Sequence, residues 1–249
     1  MQTALPRRGS AGGRWLGLAV LLLFLAQGAF AQRSLFNVPM LEPEEADKLL
    51  FQQQFTVTDQ VEAGTTITYG LGRQWEIGLN LSHLNLNYQP HAHIVELQSP
   101  EAQRNPHLTV NVNKAVKLTD RWLLSAGTRS GLAYRGAWEK TQFAHFSYLG
   151  TEFSIPDTEF KLLGGGYYTN PAYVGDGNRV GYMVGLQVPV LTDKLVFEGE
   201  YISGTNQYSN WALGLGLNIH KDWQLAVGGQ LPAPGSGNPY GVLIQLTRQ

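Results

Sequence analysis

The 249-residue sequence contains no cysteine, an absence that removes disulfide staples, thiolate metal sites and cysteine nucleophiles together. Charge is sparse, with Asp, Glu, Lys and Arg making up 15% of the residues. Beyond residue 31 no run approaches the roughly 18 consecutive apolar residues of a membrane helix. That excludes helical spans but not strands, which carry apolar side chains on one face only and so halve the hydropathy signal. There is also no phosphate-binding glycine loop and no zinc-protease helix, because the "GLG" and "GGG" stretches lie in strand and turn contexts with no helix after them. No cofactor or metal site is expected.

What is present begins with a leader. Arg7, Arg8 and Arg14 precede an apolar run from Trp15 to Leu25 and a small-residue site at Ala29-Phe30-Ala31. This is the pattern of a secretory signal peptide over residues 1–31, cleaved after Ala31. Taking those three arginines from the 18 basic residues leaves 15 against 19 acidic ones, a net charge of −4. Such a balance argues against nucleic acid as a partner.

The dominant periodicity after the leader is two. In "HLTVNVNKAVKL", Leu108, Val110, Val112, Val116 and Leu118 share one face, opposite His107, Thr109, Asn111, Asn113 and Lys117. In "WALGLGLNI", Trp211, Leu213, Leu215, Leu217 and Ile219 oppose Ala212, Gly214, Gly216 and Asn218. These are strands with one apolar face. The same reading places twelve of them, at about 49–58, 62–71, 74–88, 107–118, 121–134, 140–152, 159–169, 179–191, 194–203, 209–219, 222–231 and 239–248. The third changes phase near His83, where a bulge would restore its facing. No amphipathic helix is expected.

Connections differ by parity. Tight polar turns follow the even strands, as in "KLTDRWLL" and "IHKDWQL", while the longest loops, 89–105, 170–178 and 232–239, follow odd ones. Aromatic residues mark both ends: Trp75, Trp122, Phe160 and Trp223 at the short turns, and Tyr88, Tyr134, Tyr182, Tyr201, Trp211 and Tyr240 near the loops. Between the rows lie about 8–12 residues, which at about 3.3 Å each and a tilt near 40° span about 20–30 Å, the height of an outer-membrane apolar band. A secreted β-sandwich also alternates. Two girdles, turn parity and one meander of similar strands separate the membrane barrel from it. The expected fold is therefore all-β: an up-and-down antiparallel transmembrane β-barrel of about 12 strands over residues 49–249.

The signal peptide, "FQQQFTV", "TTITYGLG" leading to "WEIGLNL", and the strand-turn-strand rhythm resemble bacterial outer-membrane β-barrel proteins of porin-like type. The resemblance implies a Gram-negative outer membrane, periplasmic short turns, extracellular long loops and solute passage. Its implied partners are outer-membrane lipid and lipopolysaccharide, small solutes and the outer-membrane assembly machinery. One departure is the ending "LIQLTRQ", which lacks the terminal aromatic residue common in such barrels.

The facing sends Glu76, Lys117, Arg129, Lys161, Glu198 and Glu200 into the lumen. One reading is a narrow hydrated channel with Arg129 and Lys117 facing Glu198 and Glu200; the other is a salt-bridged filling of the barrel. Residues 32–48 carry Pro39, Pro43 and an acidic cluster, and are expected as an irregular periplasmic segment, with a luminal plug as the alternative. Lys114 falls on the lipid face and has to reach the interface. An enzymatic alternative rests on "HFS". His145 and Ser147 share a strand face, Glu159 follows across a turn, and the spacing resembles that of outer-membrane lipid A deacylases, although Tyr148 stands where that family usually has asparagine. His91 and His93, with His83 and His107 nearby, form either a weak metal-binding group or a solvated loop. The expected function is a small passive channel for small solutes, with a non-conducting structural or surface-interaction barrel and a lipid hydrolase as alternatives.

Overall fold

The structure, a computed structural model, describes residues 35–86, 106–135, 140–156, 158, 160–191, 194–220 and 222–248. Twelve antiparallel strands follow in chain order: β1 (Leu49–Val57), β2 (Val61–Gly72), β3 (Trp75–Leu86), β4 (His107–Lys117), β5 (Trp122–Arg135), β6 (Lys140–Ser154), β7 (Lys161–Thr169), β8 (Val180–Leu191), β9 (Leu195–Ile202), β10 (Asn210–His220), β11 (Trp223–Pro232) and β12 (Gly241–Arg248). Each pairs with its sequence neighbours, and β1 closes on β12 in register from Phe51↔Arg248 to Val57↔Val242. The sheet has no free edge, as hydrocarbon requires of a spanning sheet.

The alternation read in the sequence becomes inside and outside. On β10, Trp211, Leu213, Leu215, Leu217 and Ile219 are 43–58% exposed, while Ala212 between them is fully buried. Corresponding residues on the other strands extend this into a continuous apolar belt, far beyond the exposed patches of soluble monomers. The phase change in β3 is a bulge: His83 has φ 58° and the β2–β3 register shifts between Ala63 and Thr65.

Local chemistry explains the short turns. Arg73 and Gln74 lie between the ladder partners Gly72 and Trp75, with φ of 53° and 64°, the paired positive values of a two-residue hairpin turn. In the β4–β5 turn the Thr119 hydroxyl oxygen accepts from the N–H groups of Arg121 and Trp122 at 3.2 and 3.0 Å. This occupies two donors that strand pairing leaves over.

Aromatic rows stand at both ends. Trp75, Trp122 and Trp223 open strands at the short-turn end, and Trp122 packs on Phe153, which meets Phe160. At the loop end the Tyr201 ring lies 4.2 Å from Trp211 and 5.7 Å from Tyr182. Tyr134 is half-buried and Tyr240 exposed; Tyr88 lies outside the described residues. Lys114 is level with Trp75 in the β3–β4 register. Its ammonium lies 5.2 Å from the Trp75 ring and donates to the Arg73 carbonyl. Strand stagger therefore carries this lysine to the interface, although it lies some way up its own strand.

One helical turn, α1 (Pro171–Val174), lies in the loop between β7 and β8. Proline at its start and the Asn170 side chain, which accepts from the Tyr173 N–H at 3.1 Å, set it up. Asn170 also donates to the Phe143 carbonyl and accepts from the His145 N–H, stitching the turn to β6. It folds inward, burying Ala172, Tyr173 and Val174.

An arginine on the belt tests this architecture. Leu215→Arg, mid-strand, should lower unfolding free energy in detergent or lipid by about 2–4 kcal/mol, while Ile219→Arg, beside the turn, should cost about 0–1 kcal/mol. Urea titration followed by heat-modifiable gel migration measures both.

Candidate functional site

The lumen is occupied. Residues 35–46 are irregular, as expected, but all except the exposed Glu45 and Ala46 lie inside the barrel rather than below it: Leu35, Phe36, Val38 and Leu41 are at most 4% exposed. The reason is physical. "LFNVPML" is too apolar to remain in water, and Pro39 with the nearby Pro43 keeps it out of the sheet.

The inner wall is cut to receive it. A β-carbon added at Gly185 would lie 2.3 Å from Leu35, at Gly150 2.9 Å from Leu41, and at Gly214 and Gly228 2.7 and 2.8 Å from Phe36. These inward glycines form sockets for the segment. Other glycines seat tyrosines of the wall: Tyr148 lies across Gly127, and Tyr167 across Gly181, each opposite its partner in the register.

Polar contacts complete the seat. The Glu200 carboxylate accepts from the Asn37 N–H at 2.9 and 3.0 Å, from Asn37 Nδ2 at 2.7 Å and from the Val38 N–H at 3.0 Å. Lys161 Nζ donates to Glu42 at 3.1 Å and lies 3.7 Å from Glu152. Glu76 accepts from the Glu44 N–H at 3.0 Å, and Asn113 Nδ2 donates to the Leu41 carbonyl at 3.3 Å. Five of the six charged residues assigned to the lumen face the interior, and Lys117 does not. Glu200, Glu76 and Lys161 hold the segment, and Lys117 stands exposed at the rim. Arg129 lies among Tyr148, Tyr173 and Tyr208 rather than facing Glu198 and Glu200. Glu198 is completely buried, and neither carboxylate oxygen has a hydrogen-bond partner among the described residues.

Between the segment and the β1–β5 wall runs a cavity of about 140 Å³. Gln52, Gln54, Thr56, Thr66, Thr68, Asn80 and Asn111 line it, with Glu42, Glu44, Glu62, Glu76 and Arg129 as its charged groups besides His83. Thr66 donates to Asn80, and Asn80 to Asn111, at 3.0 and 2.9 Å. Towards the loops lies an aromatic layer. His107 stacks on Tyr173 at 4.9 Å, Phe146 on Tyr167 and Tyr173 at 5.4 Å, and His83 bonds Glu62 and the Tyr208 hydroxyl at 3.0 and 2.9 Å. The sequence signal for the plug was available in its apolar run, but nothing local marked Tyr173 and Tyr208 as inward-folding loop residues.

His145 and Ser147 do share the outer face of β6, but the imidazole pairs elsewhere: His145 Nδ1 lies 2.9 Å from Ser130 Oγ, and Ser147 Oγ meets the Tyr168 carbonyl at 3.5 Å. Glu159, His91 and His93 lie outside the described residues.

No protein-family model matches the chain, and no curated protein matches it. Solved structures do. "KdgM porin in complex with disordered oligogalacturonate" aligns with a TM-score of 0.52 at 11% identity, covering 80% of this chain and 98% of that one. The NanC porin aligns with a TM-score of 0.54 at 13% identity, with the same coverage. The chain has the closed twelve-stranded fold of these porin barrels.

Lys161→Met should destabilise the protein by about 3 kcal/mol, because it removes the cation between two carboxylates in a nearly dry interior. Lys117→Met at the rim should change stability by less than about 0.5 kcal/mol. Chemical denaturation of both variants makes the comparison.

Proposed function

We propose that the mature chain, after cleavage at Ala31, is a passive channel for small solutes in a Gram-negative outer membrane. The observation that carries this reading is the polar cavity inside a closed, lipid-belted barrel whose fold is that of porins. Outer-membrane lipid and lipopolysaccharide surround the belt, and the outer-membrane assembly machinery inserts it. Glutamine, threonine and asparagine replace part of a solute's hydration shell, and ring charges set its sign.

Among the described residues, four carboxylates line the cavity against one guanidinium. That balance supports small cations and neutral polyhydroxylated solutes, and it disfavours polyanions such as the oligogalacturonate held by one structural neighbour. A hydrolytic role finds little support in a histidine bonded to Ser130 rather than to Ser147. Lipid cleavage that Ser147→Ala abolished would restore it.

In planar bilayers the refolded mature chain should conduct with a reversal potential favouring cations, and Glu62→Gln together with Glu76→Gln should move that potential towards zero. An absence of current from both the mature chain and a variant lacking residues 35–46 would remove the channel reading.

A further inference from the structure

The twelve-stranded ladder closes from β1 to β12 without using residues 35–46. The segment is an addition to a barrel already complete in its backbone hydrogen bonds. Its described anchors run to side chains of the wall: Glu200, Gln54, Asn113, Lys161 and Glu76. Side-chain anchors and apolar sockets can be vacated without breaking any strand pair. We propose that residues 35–46 are a displaceable gate, seated in the lumen by the Glu200 latch and withdrawn as one piece through the short-turn opening.

The path follows from connectivity. The segment joins β1 through Asp47 and Lys48 at the short-turn end, where the Asp47 N–H donates to the Gly70 carbonyl and Glu45 lies against Gly70. Asn37, at the other end, reaches Glu200, two residues from the loop end of β9. Twelve residues extend to about 40 Å, more than the roughly 25 Å apolar height of such a barrel. A tether at Asp47 is therefore long enough for Leu35 to clear the lumen.

Seating has opposed contributions, which is what makes release accessible. Four apolar side chains leave water, and Glu200 gains charge-assisted hydrogen bonds from Asn37 and Val38. Against this, Phe36 lies over Gly214, the register partner of Glu198. On the strand paired with that glycine, the Glu198 carboxyl is fully buried with no hydrogen-bond partner among the described residues. A buried, unpartnered carboxyl is an unfavourable element that withdrawal of the segment rehydrates. Glu198 and Glu200, two apart on one face of β9, thus act in opposite senses: the inner-wall position that donors reach holds the gate, and the one they do not reach opposes it.

Because the chain has no cysteine, a single introduced thiol reports the motion. Val38→Cys places it at a position 2% exposed in the seated state. In reconstituted protein, a membrane-impermeant maleimide should label it far more slowly than a free thiol but to completion. Adding Glu200→Ala should accelerate labelling by about tenfold or more, since the hydrogen bonds lost are charge-assisted. Glu200→Gln, which keeps one acceptor oxygen, should fall between, and heat-modifiable migration shows that each variant is folded.

A second arm locks the segment: Leu35→Cys with Gly185→Cys, oxidised, should hold conductance at its lowest level, and reduction should raise it. That arm rests on the channel reading; the labelling arm does not. Labelling at the free-thiol rate in Val38→Cys, no labelling over hours, or no acceleration by Glu200→Ala would each overturn the gate. If labelling behaves as expected while no form of the protein conducts, the movable segment stands and the channel reading falls.

Discussion

The structure depends on the need of every backbone N–H and C=O in a lipid-facing sheet to find a partner within the protein. That requirement closes β1 on β12 and removes every edge. Closure creates two unlike surfaces from one alternating pattern. The outer one, represented by Leu213, Leu215 and Leu217, is apolar because its solvent is hydrocarbon; the inner one is free of that demand and carries Gln52, Thr68, Asn80 and Glu200 instead. Interface chemistry follows from the same boundary. Lys114 is tolerable because strand stagger sets its ammonium against Trp75 and the Arg73 carbonyl.

Inside, a second constraint operates. A barrel of this size encloses more space than its own wall side chains fill, and here residues 35–46 and the inward-folded α1 occupy it from opposite ends. Glycines are the common device. Gly150, Gly185, Gly214 and Gly228 admit the segment, while Gly127 and Gly181 admit tyrosine rings from the neighbouring strand. What remains is a polar cavity along β1–β5, bounded by acid on the segment side and by rings towards the loops. The proposed solute passage, charge preference and gating all trace to how that residual space is shared between wall and segment.

Strands, turns and girdles were legible because their signals are local: a period of two, a polar turn such as Thr119-Asp120-Arg121, and tryptophan at a strand start. Even the bulge at His83 showed as a phase slip. The lumen was legible only as a set of inward residues. Parity put Arg129, Glu198 and Glu200 inside, but partners on a closed barrel depend on what crosses its interior. Arg129 went to tyrosines from β6 and two loops, and Glu200 to backbone N–H groups more than 160 positions away. The "HFS" pair illustrates the same limit: a shared face follows from spacing, whereas the actual partner of His145 is Ser130 on the adjacent strand.

The sequence by itself determined the strand number, which faces turn outward and where the aromatic rows stand, because each depends on neighbours within a few residues and on surroundings that are the same all round the barrel. Only the tertiary structure decided that "LFNVPML" fills the lumen, that glycines serve as its sockets, and that Glu200 is satisfied where Glu198 is not. Those outcomes depend on residues far apart in the chain meeting inside one enclosed volume, and no local pattern encodes which of them meet.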